Sequence, residues 1–310
     1  MYPFVTVPPI GWTVRASDLI VALTAVLAVT LAPAWIRSAG RFDGVPVRRI
    51  CALLFLAAFL GARLLFVATH LEHYWQQPLA VLDPHPAGRN APGALLVLVV
   101  VAPLVLRRRG IAPGRFLDAG VPVMCVLLAL SRVGCLLHGC CVGSLCEWPW
   151  CAPYPRGSAF FNLEASLGWI GDDAPFTHAV HLLPAYFALA ALAVAGIGHR
   201  LNRSKRFDWQ VTAVAMLLLG TTNAILEGWR LEIASRTYWG PWPYLVWVNL
   251  GLAVGGAMIL AVPRTAHDRS RSLAGTREAL SRLQPLRAVL RRVPAPGPRA
   301  SRRAASGPSA

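Results

Sequence analysis

Charge is scarce in this chain. Only 14% of its 310 residues are Asp, Glu, Lys or Arg, against about 25% in ordinary soluble domains. Hydrophobic residues make up 55%, and the mean hydropathy is +0.51. That balance excludes a water-soluble globular protein. Acidic residues are scarcer still, 14 against 30 basic ones, which leaves a net charge of +16. The excess does not read as nucleic-acid binding, because no basic patch is interleaved with aromatic residues. From Pro263 onward, eleven Arg against one Asp and one Glu supply +9 of the charge. No basic residue precedes Arg15, so the first apolar run is expected to be a retained span rather than a cleavable signal peptide. No Cys-x-x-Cys pair occurs either, which removes the commonest spacing of a zinc site. No metal and no cofactor are expected.

Long apolar segments are abundant. Seven separate out, near residues 19–36, 50–69, 94–106, 116–137, 180–198, 211–227 and 244–262. The third is short for a bilayer of roughly 30 Å, but charge parity requires it. Loops 37–49, 107–115 and 199–210 hold four Lys or Arg each, and the tail holds eleven. The N-terminus and loops 70–93 and 138–179 hold one each, and loop 228–243 holds two. The positive-inside rule then places the N-terminus outside and the C-terminus in the cytoplasm. The expected fold is all-α, a polytopic bundle of about seven transmembrane helices (residues 1–262) with a basic tail (263–310). The tail's spaced leucines suit a helix lying on anionic lipid, whereas its Pro/Ala/Ser/Arg end suits disorder.

Several polar side chains fall at bilayer depth, where a charge costs about 2.5–3.5 kcal/mol on insertion scales and marks a functional candidate. Arg63, seven residues before His70, lies roughly 10 Å below the outer end of span 2. Arg132, six residues before His138, lies roughly 9 Å below the end of span 4. Tyr186 follows His181 by five residues on span 5. Asn223 and Glu227 share a face of span 6, with Arg230 one turn beyond. Two or three guanidiniums against one carboxylate leave positive charge to be matched, and guanidinium forks grip phosphate bidentately. The plainer readings are snorkelling for Arg63 and Arg132, an interfacial aromatic for Tyr186, and a helix-end ion pair for Glu227 with Arg230.

The densest motif is Ser131-Arg132-Val133-Gly134-Cys135-Leu136-Leu137-His138-Gly139-Cys140-Cys141-Val142-Gly143. Its glycines, Gly134 and Gly143 among them, allow the backbone to bend and to approach a ligand closely. The stretch resembles the signature of bacterial prolipoprotein diacylglyceryl transferases, in which span 4 ends in Gly-Arg-x-Gly-Asn-x-x-Asn-Gly-Glu-x-x-Gly. Gly61-Ala62-Arg63 is similar to the family's Gly-Ala-Arg. Pro92-Gly93-Ala94-Leu95 sits at its His-Gly-Gly-Leu, and His181 through Tyr186 at its His-Pro-x-Gln-Leu-Tyr. Asn223 through Arg230 corresponds to its Arg-x-x-x-Glu-x-x-Arg. The resemblance implies transfer of diacylglycerol from phosphatidylglycerol to a lipobox cysteine thiol of a preprolipoprotein, in the bacterial inner membrane. It implies Arg132, His138 and Glu227 as catalytic residues, and Arg63, Gly134, Gly143, Tyr186, Asn223 and Arg230 as substrate-binding ones. Pro92 replaces the family's His and Asn223 one of its Arg, so His138 is the candidate to supply the base, the plainer reading being a loop histidine with no chemistry. Two other functions stay open: a non-catalytic relative that binds anionic lipid or lipoprotein precursor, and a membrane thiol-redox protein.

Seven cysteines complete the inventory. Cys51 and Cys125 read as apolar fillers within spans. Cys135, Cys140, Cys141, Cys146 and Cys151 crowd into 17 residues on the expected outer side. There the first expectation is disulfides stapling the loop, with zinc ligation or free redox thiols as alternatives. The pairing is not readable from sequence. Trp148, Trp150, Tyr154, Phe160 and Phe161 suit a lid resting among lipid headgroups.

Overall fold

The computed structural model describes residues 4–7, 12–69, 71–82, 91–171, 173–231 and 238–262. A short antiparallel hairpin, β1 (Phe4–Val7) with β2 (Trp12–Arg15), pairs Phe4 with Arg15 and Val7 with Trp12. It leads directly into α1 (Ala16–Gly40). Next come α2 (Val47–Thr69), the short α3 (Leu71–Gln76), a 3-10 turn at Pro78–Leu82 and α4 (Ala91–Arg108). The central helix α5 (Pro113–His138) is followed by a loop carrying α6 (Ala159–Ser166), and then by α7 (Leu183–Ser204) and α8 (Gln210–Gly228). A two-residue hairpin, β3 (Tyr238–Trp239) with β4 (Trp242–Pro243), precedes the last helix, α9 (Tyr244–Val262).

Six of these helices, α1, α2, α5, α7, α8 and α9, are long and apolar enough to cross a membrane. The helix α4, expected from charge parity, is present with 18 residues, about 27 Å long at 1.5 Å per residue. Their outward faces are apolar: Leu19, Val26, Leu56, Leu64, Val100, Leu189, Ile225 and Met258 are all exposed. In water such a belt would aggregate; around a bundle it is the surface that hydrocarbon covers. The expectation for span 5 needs one correction, since its helix starts at Leu183 rather than at 180. Val180 instead makes backbone bridges to Leu145 and Ala152, and Pro184, which has no N–H to donate, sits in the first turn. The basic tail, His70 and Arg89 lie outside the described residues, and so does the Pro92 side chain.

Packing follows from small residues where backbones cross. A Cβ on Gly61 would lie 2.7 Å from the Gly93 carbonyl oxygen, so α2 and α4 meet through paired glycines. Gly220 and Gly256 do the same for α8 and α9: added Cβ atoms would sit 2.6 Å from Ala253 N and 2.5 Å from Ala213 O. At the basic end, Ile36, Phe42, Val47, Ile50, Leu106 and Phe116 join α1, α2, α4 and α5 in one apolar cluster. Beside it a cavity of about 580 Å³ is lined by Arg41, Arg115, Arg203 and Lys205 among others.

Asp118, on α5, is fully buried. It accepts from Lys205 Nζ (3.0 Å), Trp209 N (3.0 Å), Thr212 N (2.9 Å) and Thr212 Oγ1 (2.8 Å), and so pins the α7–α8 turn to the central helix. Removing one partner of a buried ion pair costs about 3–5 kcal/mol, because the other charge is left unmatched. Asp118→Ala should therefore destabilise the protein by roughly that amount. Thermal unfolding in detergent against the parent chain measures it, and a midpoint unchanged from the parent would remove this anchor from the account of the fold.

Candidate functional site

The site lies at the arginine-poor end, where α5 and α8 finish and α7 begins. Three extended segments are tied there by backbone hydrogen bonds. Gly143 N donates to His181 O (2.9 Å), His181 N to Ser144 O (3.1 Å), Ser144 N to Trp229 O (2.9 Å), and Leu231 N to Val142 O (3.2 Å). Buried backbone polar groups must find partners, so this lattice lets non-helical chain sit against the helix ends. Gly143 is required by contact: a Cβ there would lie 2.6 Å from His181 Cβ. Gly134 faces α1, 3.4 Å from Ile20 Cγ2 by the same construction. Gly143 is therefore placed where two chain segments approach closely, whereas Gly134 makes an ordinary helix–helix contact.

Arg132 is half-buried, with its guanidinium carbon 4.6 Å from the centre of the Phe187 ring on α7. It forms no hydrogen bond or ion pair among the described residues. Glu227 is 5% exposed and accepts from Arg230 Nη1 at 3.1 and 3.4 Å. Arg230 also donates through Nη2 to Cys141 Sγ at 3.1 Å. Charges of both Arg230 and Arg132 act on Cys141, and Arg230 is the one in contact with its sulfur. The Cys141 thiol is held below the ordinary thiol range, first by hydrogen bonds from Cys135 and Cys140 and then by these cations. Cys140, half-buried and hydrogen-bonded to Cys135 and Cys141, is pushed up.

The remaining expected residues fall as follows. Tyr186 Oη lies 3.3 Å from His181 Nδ1. Asn223 is half-buried, one turn before Glu227. Arg63 donates from Nε to Val81 O (3.2 Å) and lies over the Tyr74 ring, 5.4 Å from its centre. His138 is half-buried at the end of α5 and has no hydrogen-bond partner among the described residues. A helix turns 100° per residue, so six residues separate His138 from the Arg132 face by about 120°.

Sequence reasoning used His181 only to mark depth and register, and the structure gives it a larger place. It lines a cavity of about 710 Å³ with Ser144, Trp148, Trp150, Tyr186, Leu226 and Trp229. Its ring lies 5.8 Å from that of Trp229, and Nδ1 lies 3.7 Å from Cys151 Sγ. The fixed offset to Tyr186 was the available signal. The loop over this end is itself well anchored. Ser158 caps α6 by accepting from Phe161 N (3.2 Å). The fully buried Glu164 accepts from His178 N (3.0 Å) and faces His178 Nδ1 at 3.2 Å. The expectation of a disulfide-stapled loop holds for one pair, Cys146 with Cys151. It is corrected for Cys135, Cys140 and Cys141, which are unpaired.

With this geometry in place, comparison with known proteins is informative. Residues 6–262 match the sequence profile of the prolipoprotein diacylglyceryl transferase family. The chain belongs to that family. Relatives named phosphatidylglycerol–prolipoprotein diacylglyceryl transferase include one from Rhodopirellula baltica, 28% identical over 156 residues, which are 48% of this chain and 32% of the relative. Another, from Desulfotalea psychrophila, is 30% identical over 106 residues, 34% of this chain and 39% of the relative. One from Pseudomonas aeruginosa is 24% identical over 238 residues, 74% and 81% of the two chains. The match thus spans about a third of the first relative and two fifths of the second, and most of the third.

The cysteine assignment can be counted. Denatured without reductant and in the presence of a chelator, the full chain should take up five maleimide labels, one for each unpaired cysteine. After reduction it should take up seven. Intact-mass spectrometry reads both numbers, and three labels before reduction would mean a second disulfide.

Proposed function

We propose that this chain moves a diacylglyceryl group from phosphatidylglycerol to a cysteine thiol of a preprolipoprotein, at the outer face of a bacterial inner membrane. The observation that carries the reading is Arg132: a guanidinium inside a membrane-spanning helix that meets no carboxylate among the described residues. A buried cation without its anion is costly, and a lipid phosphate supplies two oxygens in the geometry a guanidinium fork prefers. The family and its named relatives supply the substrate pair. The arginine-poor end, facing outward by the positive-inside rule, is where the donor lipid and a membrane-tethered peptide would both arrive. The cavity lined by Trp148, Trp150 and Trp229 offers apolar walls there.

The reaction is a displacement. The acceptor sulfur attacks the glycerol carbon bonded to the phosphate oxygen; the C–S bond forms, the C–O bond breaks, and glycerol phosphate leaves with the electron pair. Charge grows on the phosphate as the C–O bond lengthens, and Arg132 lies ready to stabilise it. Arg230, partly neutralised by Glu227, adds a second guanidinium near the same sulfur-lined wall. Arg63, Tyr186 and Asn223 complete the binding groups, and Gly134 and Gly143 keep the backbone close. The thiol proton goes to an imidazole, and the geometry favours His181 over His138. His181 lines the cavity, and with Nδ1–H donating to Tyr186 Oη its Nε2 is the basic nitrogen. His138 lies on another face of α5 from Arg132.

Labelled phosphatidylglycerol and a lipobox peptide, incubated with membranes carrying the chain, test this. Arg132→Ala should lower label transfer by about 100-fold or more, the loss typical of an oxyanion-stabilising donor. His181→Ala should cost about 100-fold, in the range for a general base, while His138→Ala should keep most of the activity. Equal losses in the two histidine variants would undo the base assignment. Lipid binding by the parent chain with no transfer of label would make it a binding protein and overturn the transferase reading.

A further inference from the structure

Three unpaired cysteines converge where α5 ends. The sulfurs of Cys135, Cys140 and Cys141 lie within 4.8 Å of one another. Two left-handed residues bring them together. Gly139, at φ +74°, ends the helix and turns the chain back over its last turn, and Cys141 repeats the left-handed conformation at φ +59°. A side-chain-bearing residue there is strained by on the order of 1–2 kcal/mol and persists only where its surroundings hold it. What holds it is visible. Gly143 N is bonded to His181 O, and Arg230 Nη2 donates to the Cys141 sulfur. The Tyr154 ring lies against Gly139, where a Cβ would stand 2.9 Å from Tyr154 Cδ1.

Tyr154 supplies an independent observation. It is 0% exposed, and its hydroxyl has no hydrogen-bond partner among the described residues. Its ring packs beside the turn that carries Cys140 and Cys141. A buried hydroxyl without a partner costs about 1–3 kcal/mol.

We propose that Cys135, Cys140 and Cys141 form a trithiolate site for a single thiophilic d10 ion, Zn(II) or Cu(I). Metal–sulfur bonds of about 2.3 Å place the sulfurs roughly 4 Å apart, in a trigonal plane around Cu(I) or on one face of a tetrahedron around Zn(II) with water as fourth ligand, a spacing the cluster already accommodates. Three soft ligands of one kind select these ions over hard cations. Three is also the number that disulfide formation cannot satisfy, since any pair leaves the third thiol alone in a buried site. Binding releases the remaining thiol protons to solvent and leaves the complex with one or two negative charges. Arg230 lies beside it to balance them through its hydrogen bond to the Cys141 sulfur, as outer groups of metal sites commonly do. The ion would clamp the end of α5 to the turn leading into the Gly143 lattice. The site shares Arg230 with the proposed transfer reaction, but its readout is metal content rather than activity.

The full chain, purified in detergent and reduced, is offered Zn(II) alone and, in a second arm, Cu(I) alone under anaerobic conditions. One equivalent of tightly held ion per chain in either arm is expected, and the arm that retains it identifies the ion. Cys135→Ser and Cys140→Ser should each lose it, whereas Cys51→Ser and Cys125→Ser should keep it. X-ray absorption of the loaded parent chain, which does not depend on any variant folding, should show three sulfur neighbours at about 2.3 Å. Absence of stoichiometric binding in both arms overturns the proposal. So does fewer than three sulfurs around the ion, or a native disulfide joining any two of these cysteines.

Discussion

A positive charge beneath the membrane surface has to be answered by something, and in this protein the answer is incomplete among the described residues. Glu227 takes up Arg230, and the Tyr74 ring and the Val81 carbonyl receive Arg63. Arg132 is left with the face of Phe187. A cation over an aromatic ring is worth on the order of 0.5–2 kcal/mol, less than the cost of placing the guanidinium at that depth. That shortfall is what the proposed anionic ligand would make up. The helix that carries it is held at both of its ends.

The scaffold achieves this by rigidity on either side. The helix α5, which carries Arg132, is fastened at its basic end by the apolar cluster around Phe116 and by the buried Asp118. At the other end it runs into the backbone lattice of Val142, Gly143, Ser144, His181, Trp229 and Leu231. That lattice brings the ends of three helices into one register. It works only because Gly143 lets two chains approach where any side chain would collide. Non-helical segments are tolerable in a membrane protein when their backbone groups are satisfied internally, and this lattice does so for the N–H groups of Gly143, Ser144, His181 and Leu231.

The family resemblance and the geometry agree on region and divide on detail. Both bring Arg132, Tyr186, Glu227 and Arg230 to one end of the bundle. The motif drew attention to His138 because it replaces an asparagine in a known pattern, but helical rotation turns it from the arginine face. His181 went unweighted because a histidine at the start of a span is common. Its value appears only once the 141–151 loop and Trp229 fold around it. The cysteines divide in the same way. Sequence proximity suggested disulfides among all five, whereas left-handed turns at Gly139 and Cys141 direct three sulfurs toward each other and away from the Cys146–Cys151 pair.

Hydropathy and the alternation of arginine-rich loops determine the helical membrane fold from sequence alone. Each span must hide its own backbone hydrogen bonds in lipid, and that requirement is local. The same locality made Arg63, Arg132 and Glu227 legible as misplaced charges before any coordinates. Contact is what a one-dimensional pattern does not contain. Which guanidinium finds a carboxylate, which histidine faces the cavity and which sulfurs meet all depend on chain segments up to 89 residues apart, as in the bond from Arg230 to Cys141. Tertiary packing decided these, because the energy of a charge or a thiol is set by the few atoms within reach of it, and only the folded chain supplies them.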